Sequence, residues 1–333
     1  MVLLWPFEKL YIVVISIRNT YYDCLYKAPN KDTLPIVISV GNLSAGGTGK
    51  TPVCLYLYEL LKPNFKCWIL LRGYTNKPGQ VSDEATIYQN HIGKENVYVG
   101  SDRLTNIIKA KENNIEISIL DDAFQHRKVF RHLNIVLIDM TKPAYKDHCF
   151  PRGLLREPTS SLKRADWVIL NRCNLVSDNE LSFTISELRS DHPHLNILKS
   201  QVQMSALNCV NLSFSTQDDT SYLLVCGIGN PDNFRQSAVK ENMNIADELI
   251  YPDHHAYTDN DIRQISHLFK QCNAEAILTT EKDWVKLSHL EIGIPVVVFE
   301  IKIEISDLEN KPIKNGLINL INVKMQEVNS DED

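Results

Sequence analysis

Lys50 and Thr51 close a glycine-rich run, Ile38-Ser-Val-Gly-Asn-Leu-Ser-Ala-Gly-Gly-Thr-Gly-Lys-Thr-Pro52. Their types and spacing are those of phosphate chemistry. Glycines let successive backbone N–H groups turn around phosphate oxygens. A lysine at this place reaches the β/γ-phosphates of a nucleoside triphosphate, and the hydroxyl beside it ligates Mg²⁺. The candidate nucleotide-binding residues are therefore Ser44, Ala45, Gly46, Gly47, Thr48, Gly49, Lys50 and Thr51. The strict pattern asks for glycine six residues before the lysine, where this chain has Ser44. A flexible glycine loop between ordinary elements is the plainer alternative. It is disfavoured by the flanks, a β-branched strand before the loop and Pro52 in the first turn of a helix after it.

A phosphate loop needs a carboxylate at a nearby strand end to hold Mg²⁺, directly or through water. Asp121-Asp122, after Ile117-Ser-Ile-Leu120, offers one, although a solvated turn would read the same way. A kinase also needs a base for the acceptor hydroxyl. Asp83-Glu84 is a candidate, placed in a loop rather than a helix, and a surface acidic pair is the commoner meaning. Arg152-Gly-Leu-Leu-Arg156-Glu157 could neutralise transferring charge or simply start a surface helix. Asp253-His254-His255 supports a metal site only weakly, since no other His or Cys cluster accompanies it; a loop histidine sharing a proton with a carboxylate is equally consistent, and a solvated loop is the reading the residues alone favour. Gly227-Ile-Gly-Asn-Pro-Asp232 fails the dinucleotide fingerprint at its sixth position. Asn171-Arg-Cys-Asn174 lacks the aspartate of a guanine-specific motif, so GTP is not inferred.

Strand-like runs at Cys67–Leu71, Val97–Val99, Ile115–Leu120, Leu133–Asp139 and Trp167–Leu170 alternate with helical periodicity at Thr51–Leu61 and Asp102–Asn113. Alternation of this kind predicts a parallel sheet covered on both faces, with ligands at the carboxyl ends of its strands. A polar stretch around 204–221 reads as a linker. A second series follows, with strands at Tyr222–Gly227, Ala276–Thr280 and Val296–Ile303 and a closing helix at Ile313–Met325. The expectation is an α/β protein in four parts: an N-terminal helix (1–28), a P-loop domain (29–203), a linker or hinge (204–221) and a smaller α/β domain (222–325).

At 333 residues the chain is long enough for two domains. A net charge of −6 argues against a nucleic-acid partner. None of the eight cysteines forms a Cys-x-x-Cys pair, which disfavours zinc and redox motifs and suggests a reducing compartment. At the N-terminus Leu3, Phe7, Leu10, Val14, Ile17, Tyr21 and Leu25 recur at helical spacing. No run there reaches the ~20 apolar residues of a spanning helix, and a basic start and a small-residue cleavage site are both missing. An interfacial helix and an amphipathic helix packed on the protein body both fit, with packing slightly favoured by the residues alone.

Six motifs occur in order: Gly41-Asn-Leu-Ser-Ala-Gly-Gly-Thr-Gly-Lys-Thr-Pro52, Leu71-Arg-Gly-Tyr74, Ser82-Asp-Glu-Ala85, Leu120-Asp-Asp-Ala-Phe-Gln-His126, Pro151-Arg-Gly-Leu-Leu-Arg-Glu-Pro158 and Tyr251-Pro-Asp-His254. As an ordered set they resemble the tetraacyldisaccharide 4′-kinase family, the lipid A 4′-kinases, from the N-terminal helix to about residue 305. Ser44 is no defect within that pattern. The resemblance implies transfer of the γ-phosphoryl group of ATP to tetraacyldisaccharide 1-phosphate, with Mg²⁺, and two domains joined by a closing hinge. It implies Asp83 as base with His254 as its partner, and Lys50 and Arg156 at the transferring phosphoryl group. It also implies Thr51, Asp121, Asp122 and Glu157 on the metal side, and Glu84 and Arg103 on the substrate side. The glycolipid substrate tips the N-terminal helix toward the cytoplasmic face of the inner membrane, as a peripheral anchor; no protein partner is implied. Arg127, Lys128, Arg131 and Arg152 are candidates for the substrate 1-phosphate. Thr279-Thr-Glu-Lys-Asp283 is family-like without a role. The competing readings are a soluble P-loop ATPase that switches a protein partner, and a non-catalytic nucleotide-binding module at a membrane.

Overall fold

The computed structural model describes residues 2–26, 34–73, 82–211, 214 and 219–330. Tyr74, part of the 204–221 stretch and the acidic end of the tail lie outside them. The chain forms two compact units, one of residues 1–80, 88–201 and 303–333, the other of residues 81–87 and 202–302.

The first unit begins with α1 (Trp5–Cys24) and β1 (Ile36–Asn42), then α2 (Lys50–Leu61) and β2 (Cys67–Leu71). It continues with the second half of α3 (Asp83–Ile92), β3 (Val97–Val99), α4 (Arg103–Glu112), β4 (Ile117–Leu120), β5 (Leu133–Asp139), β6 (Trp167–Asn171), α5 (Asp178–Asp191) and the start of β7 (Asn196–Cys209). Strands run in the order β3-β2-β4-β1-β5-β6-β7. All six of these pairings are parallel, with Ile36 opposite Ile117 and Ile38 opposite Leu133 on the two sides of β1. β1 and β5 are buried at every position, which is why both read as continuous apolar runs rather than alternating ones.

The second unit holds the rest of β7, β8 (Ser221–Cys226), α6 (Pro231–Lys240), β9 (Asn244–Ile250), α7 (Asp259–Gln271), β10 (Ala276–Thr280), α8 (Glu281–Leu287) and most of β11 (Val296–Ser306). Its parallel order is β11-β10-β8-β9. Alternate residues of β8 enter opposite cores, Tyr222, Leu224 and Cys226 on one face and Leu223 and Val225 on the other. The α/β, parallel-sheet expectation therefore holds in both units.

Three sequence expectations need correction. Residues 204–209 are strand, the end of β7, rather than linker. The closing helix, α9 (Lys314–Ser330), packs on β1 and belongs to the first unit; Leu317 and Ile321 are fully buried there. Asp83 is the first residue of α3, not a loop residue. Ser82 accepts a hydrogen bond from the Ala85 amide (3.3 Å), and Asp83 and Glu84 complement the positive end of the helix. This start signal is masked in the sequence by the polar stretch before it.

Among the described residues no helix is long and apolar enough to cross a membrane. α1 docks through its polar stripe. Glu8 is buried against Arg152 (3.1 Å) and the Cys149 amide (3.2 Å). Tyr11 and Ile12 join the core under β5 and β6. The Asn19 amide donates to Glu157 (3.3 Å), and Asp23 accepts from Arg127. Leu3, Phe7, Leu10, Val14, Ile17, Tyr21 and Leu25 remain exposed on the opposite side.

Candidate active site

The first unit places the phosphate loop at the carboxyl end of β1. Gly49 adopts φ +86°, the left-handed region open to glycine, immediately before Lys50 opens α2. A Cβ at Gly49 would lie 2.3 Å from Asn171 Nδ2, and that amide donates to the Thr48 carbonyl (2.8 Å). Gly46 also has positive φ, and a Cβ at Gly46 or Gly47 would meet nothing within 4 Å. The loop thus combines a rigid back with an open front. Ser44 is buried and extends β1 by an antiparallel bridge to Leu155. That extended backbone suits any residue, so the strict glycine is not needed. The same pairing carries the Ala45 amide to the Leu154 carbonyl (2.8 Å) and the Arg156 amide to the Leu43 carbonyl (2.7 Å).

Asp121 and Asp122 follow β4, which is hydrogen-bonded beside β1, so both aspartates arrive at the same end of the sheet as the loop. They face different partners. Asp122, at φ +48°, lies 3.5 Å from Lys50 Nζ and accepts from Arg156 at 3.0 and 3.1 Å. Burial alone would raise its carboxyl, but Lys50, Arg156 and Arg103 hold it below the ordinary value. Asp121 accepts from the buried Tyr88 hydroxyl (3.1 Å). Burial and the Asp121 charge push that hydroxyl well up, keeping it a proton donor. Arg103 donates to the Asp121 and Asp122 carbonyls (2.5 and 3.0 Å) and fixes the turn itself. Glu157 is fully buried, with partners in Arg164 (2.5 Å), Arg18 (3.6 Å) and Asn19 rather than in the phosphate loop. Behind the loop, Arg172 pairs with Asp139 and donates to the Gly47 carbonyl (3.3 Å). Asn171, Arg172 and Asp139 were not foreseen as loop supports; the place of Asn171-Arg172 after a strand was their only signal.

In the second unit Asp83 and His254 come together, with His254 Nδ1 3.7 Å from Asp83 Oδ2. Lys286 Nζ lies closer to that oxygen, at 3.3 Å. Asp253 and Lys282 flank the histidine. Glu84 stands beside Asp83 in the first turn of α3. His255 stacks on Tyr251 (4.5 Å between ring centres) and faces Asp261 (3.2 Å), so the two adjacent histidines point to separate partners. Among the described residues no three His, Cys, Asp or Glu side chains converge as a metal group. Of the arginines considered for the substrate 1-phosphate, Arg127 is engaged by Asp23 and Asn19, Arg152 by Glu8, and Arg131 by the Ala123 and Phe124 carbonyls.

A glycine loop leaving a parallel strand for a helix, with an aspartate from the next strand end beside its lysine, defines a P-loop nucleotide-binding protein. The family model described as LpxK, tetraacyldisaccharide-1-P 4′-kinase, matches residues 1–321. The tetraacyldisaccharide 4′-kinase of Syntrophus aciditrophicus is 34% identical, over 91% of this chain and 89% of the relative. That of Halothermothrix orenii is 31% identical, over 86% and 82%. The crystal structure of the "apo" form of LpxK from Aquifex aeolicus in complex with ATP superimposes with a TM-score of 0.70 at 30% identity, covering 96% of this chain and 98% of that one. The chain belongs to the tetraacyldisaccharide 4′-kinase family.

Proposed function

We propose that this protein is an ATP-dependent kinase of lipid A biosynthesis, phosphorylating the 4′-hydroxyl of tetraacyldisaccharide 1-phosphate to give lipid IVA and ADP. The family match over residues 1–321 carries this reading. ATP is the donor, as in the ATP complex of the Aquifex relative. The open front of the loop, with the Gly46 and Gly47 amides, cradles its phosphates, and Lys50 and Arg156 offset charge on the transferring group. The switch-ATPase alternative loses ground, because the matched family is one of lipid kinases.

The donor set also fits Mg²⁺. A phosphate-bound Mg²⁺ asks for only one or two protein oxygens, the rest coming from phosphate and water. The Thr51 hydroxyl and the Asp122 carboxylate are the pair we assign, since Asp122 lies beside Lys50 and keeps exposed surface, whereas Asp121 is buried against Tyr88 and Glu157 is buried among arginines. Held by these two oxygens, Mg²⁺ would offset the negative charge of the phosphates. Asp83 takes the proton of the 4′-hydroxyl as its oxygen bonds to the γ-phosphorus and ADP leaves with the electrons of the broken P–O bond, and His254 supports that carboxylate. Glu84, in the same turn, faces the acceptor sugar. Arg103 acts through the backbone of the Asp121-Asp122 turn. The exposed apolar stripe of α1 seats the protein on the cytoplasmic face of the inner membrane as a peripheral anchor, bringing the site to a lipid-borne sugar.

The test is transfer of label from γ-labelled ATP onto tetraacyldisaccharide 1-phosphate, with Mg²⁺ and detergent. Labelled lipid that disappears in Lys50→Ala is the expected result. Nucleotide binding without lipid labelling, in folded protein, would turn the reading to the protein-partner ATPase.

A further inference from the structure

We propose that Lys286 is the positioning residue for the base, clamping the Asp83 carboxylate so that one oxygen is presented to the acceptor hydroxyl; this rests on the reading of Asp83 as the base. Lys286 Nζ is 3.3 Å from Asp83 Oδ2, nearer than the His254 ring nitrogen at 3.7 Å. Both contacts are made to Oδ2, so Oδ1 is the oxygen assigned to the incoming proton.

The ammonium group is built in rather than draped over a surface. Its side chain is 12% exposed, against 55% for His254, and Nζ itself is shut off from solvent. It lies 6.0 Å over the Tyr257 ring and 3.9 Å from Asp283. Asp283, with no exposed surface, ties the local frame together. One carboxylate oxygen accepts from the Gly227 amide (3.0 Å) and the Tyr257 hydroxyl (3.1 Å), and the other from the Thr280 hydroxyl (2.7 Å). The Thr280 oxygen caps α8 by accepting from the Asp283 amide (3.2 Å). One turn before Lys286 on the same helix face, Lys282 holds Asp253 (3.1 Å) and reaches His254 Nε2 (3.5 Å). α8 thus aims one ammonium at Asp83 and another at the turn that carries His254. Desolvating a lysine is costly unless its charge is used, and here it faces the carboxylate that must receive a proton. The Thr279-Thr-Glu-Lys-Asp283 motif gains a role in this way, as the start of the helix that delivers both lysines.

The experiment measures kcat, the KM for ATP and for the glycolipid, and the thermal midpoint in the full-length protein for Lys286→Met, Lys286→Arg, Asp83→Asn and the Met/Asn double variant. General-base catalysis contributes about 10²–10⁴-fold, so Lys286→Met should lower kcat by about 10–100-fold with both KM values within about threefold. Arginine should restore kcat to within about fivefold of the parent, because a fixed positive charge returns beside Oδ2. The double variant should be no slower than Asp83→Asn alone, since the two side chains act as one unit. If Lys286→Met keeps parental kcat while Asp83→Asn is slow, the clamp is overturned and the base assignment survives. If Asp83→Asn itself keeps parental kcat, the base reading falls first. If Lys286→Met does not fold, Lys286→Gln replaces it, and parental kcat in that uncharged variant overturns the clamp equally.

Discussion

Gly49 shows how one residue type is forced from two directions. Its φ of +86° excludes ordinary side chains on backbone grounds, and Asn171 Nδ2 occupies the volume where a Cβ would go. Gly49→Ala must therefore displace the Asn171 amide from the Thr48 carbonyl and reshape the loop that presents Lys50. Nucleotide affinity should fall by at least about tenfold, for a shift in loop geometry worth 1.4 kcal/mol or more. Unchanged ATP affinity by calorimetry would show that the loop tolerates the added carbon. His126, four residues beyond Asp122, yields a prediction in pH. Burial, with Arg103, Arg131, Lys128 and Arg72 around it, pushes its pKa from 6.5 down to about 4. Between those values the unfolded chain binds the proton and the folded one does not, so stability falls as pH drops from 6.5 toward 4. The urea midpoint should decline over that window, and His126→Gln should flatten the decline; equal slopes in parent and variant would assign it to other groups. Both residues stood inside legible motifs. What the sequence withheld was partnership: nothing in Asp121-Asp122 says that one turns to Tyr88 and the other to Lys50, because adjacent residues at a strand end diverge by backbone geometry alone.

At the scale of elements, α1 inverts the usual arrangement of a surface helix. The stripe of Glu8, Asn19 and Asp23 faces the protein, where Arg152, Glu157 and Arg127 meet it, and the apolar stripe faces outward. The helical period was legible from Leu3, Phe7, Leu10, Val14 and Ile17, but which stripe docks was not, since the answer depends on charges 104 to 144 residues away in sequence. A different limit hid the helix at Asp83, whose cap is a local signal beside a polar stretch. The buried strands β1, β4 and β5 were read directly, because parallel strands covered on both faces are apolar throughout. An apolar side chain withdrawn from water contributes about 1.5–3 kcal/mol, so charges at two stripe positions should weaken membrane association by at least about tenfold. Leu10→Glu combined with Val14→Glu is expected to lose co-sedimentation with phosphatidylethanolamine–phosphatidylglycerol vesicles while binding ATP normally. Parental co-sedimentation would remove the membrane role from this stripe.

At the scale of the molecule, the chain order does not follow the units. Residues 81–87 belong to the second unit although they sit between β2 and β3 in sequence, and residues 303–333 return to the first after the second is complete. A linear reading cuts a chain into consecutive domains, so α9 was assigned with its neighbours in sequence. Its burial reveals the true allegiance: Leu317 and Ile321 have no exposed surface, and the helix lies on β1, the strand that feeds the phosphate loop. Removing a buried leucine side chain to alanine costs about 2–5 kcal/mol, and here that cost must fall on the nucleotide-binding unit. Leu317→Ala should therefore accelerate amide hydrogen exchange in β1, β4 and β5 more than in β8 and β10, and ATP, which binds the folded unit, should partly reverse it. Ile265→Ala, in the core of the second unit, should produce the opposite pattern. If Leu317→Ala instead loosens β8 and β10 and leaves β1 protected, the C-terminal helix stabilises the second unit, and the division of the chain drawn from its packing is wrong.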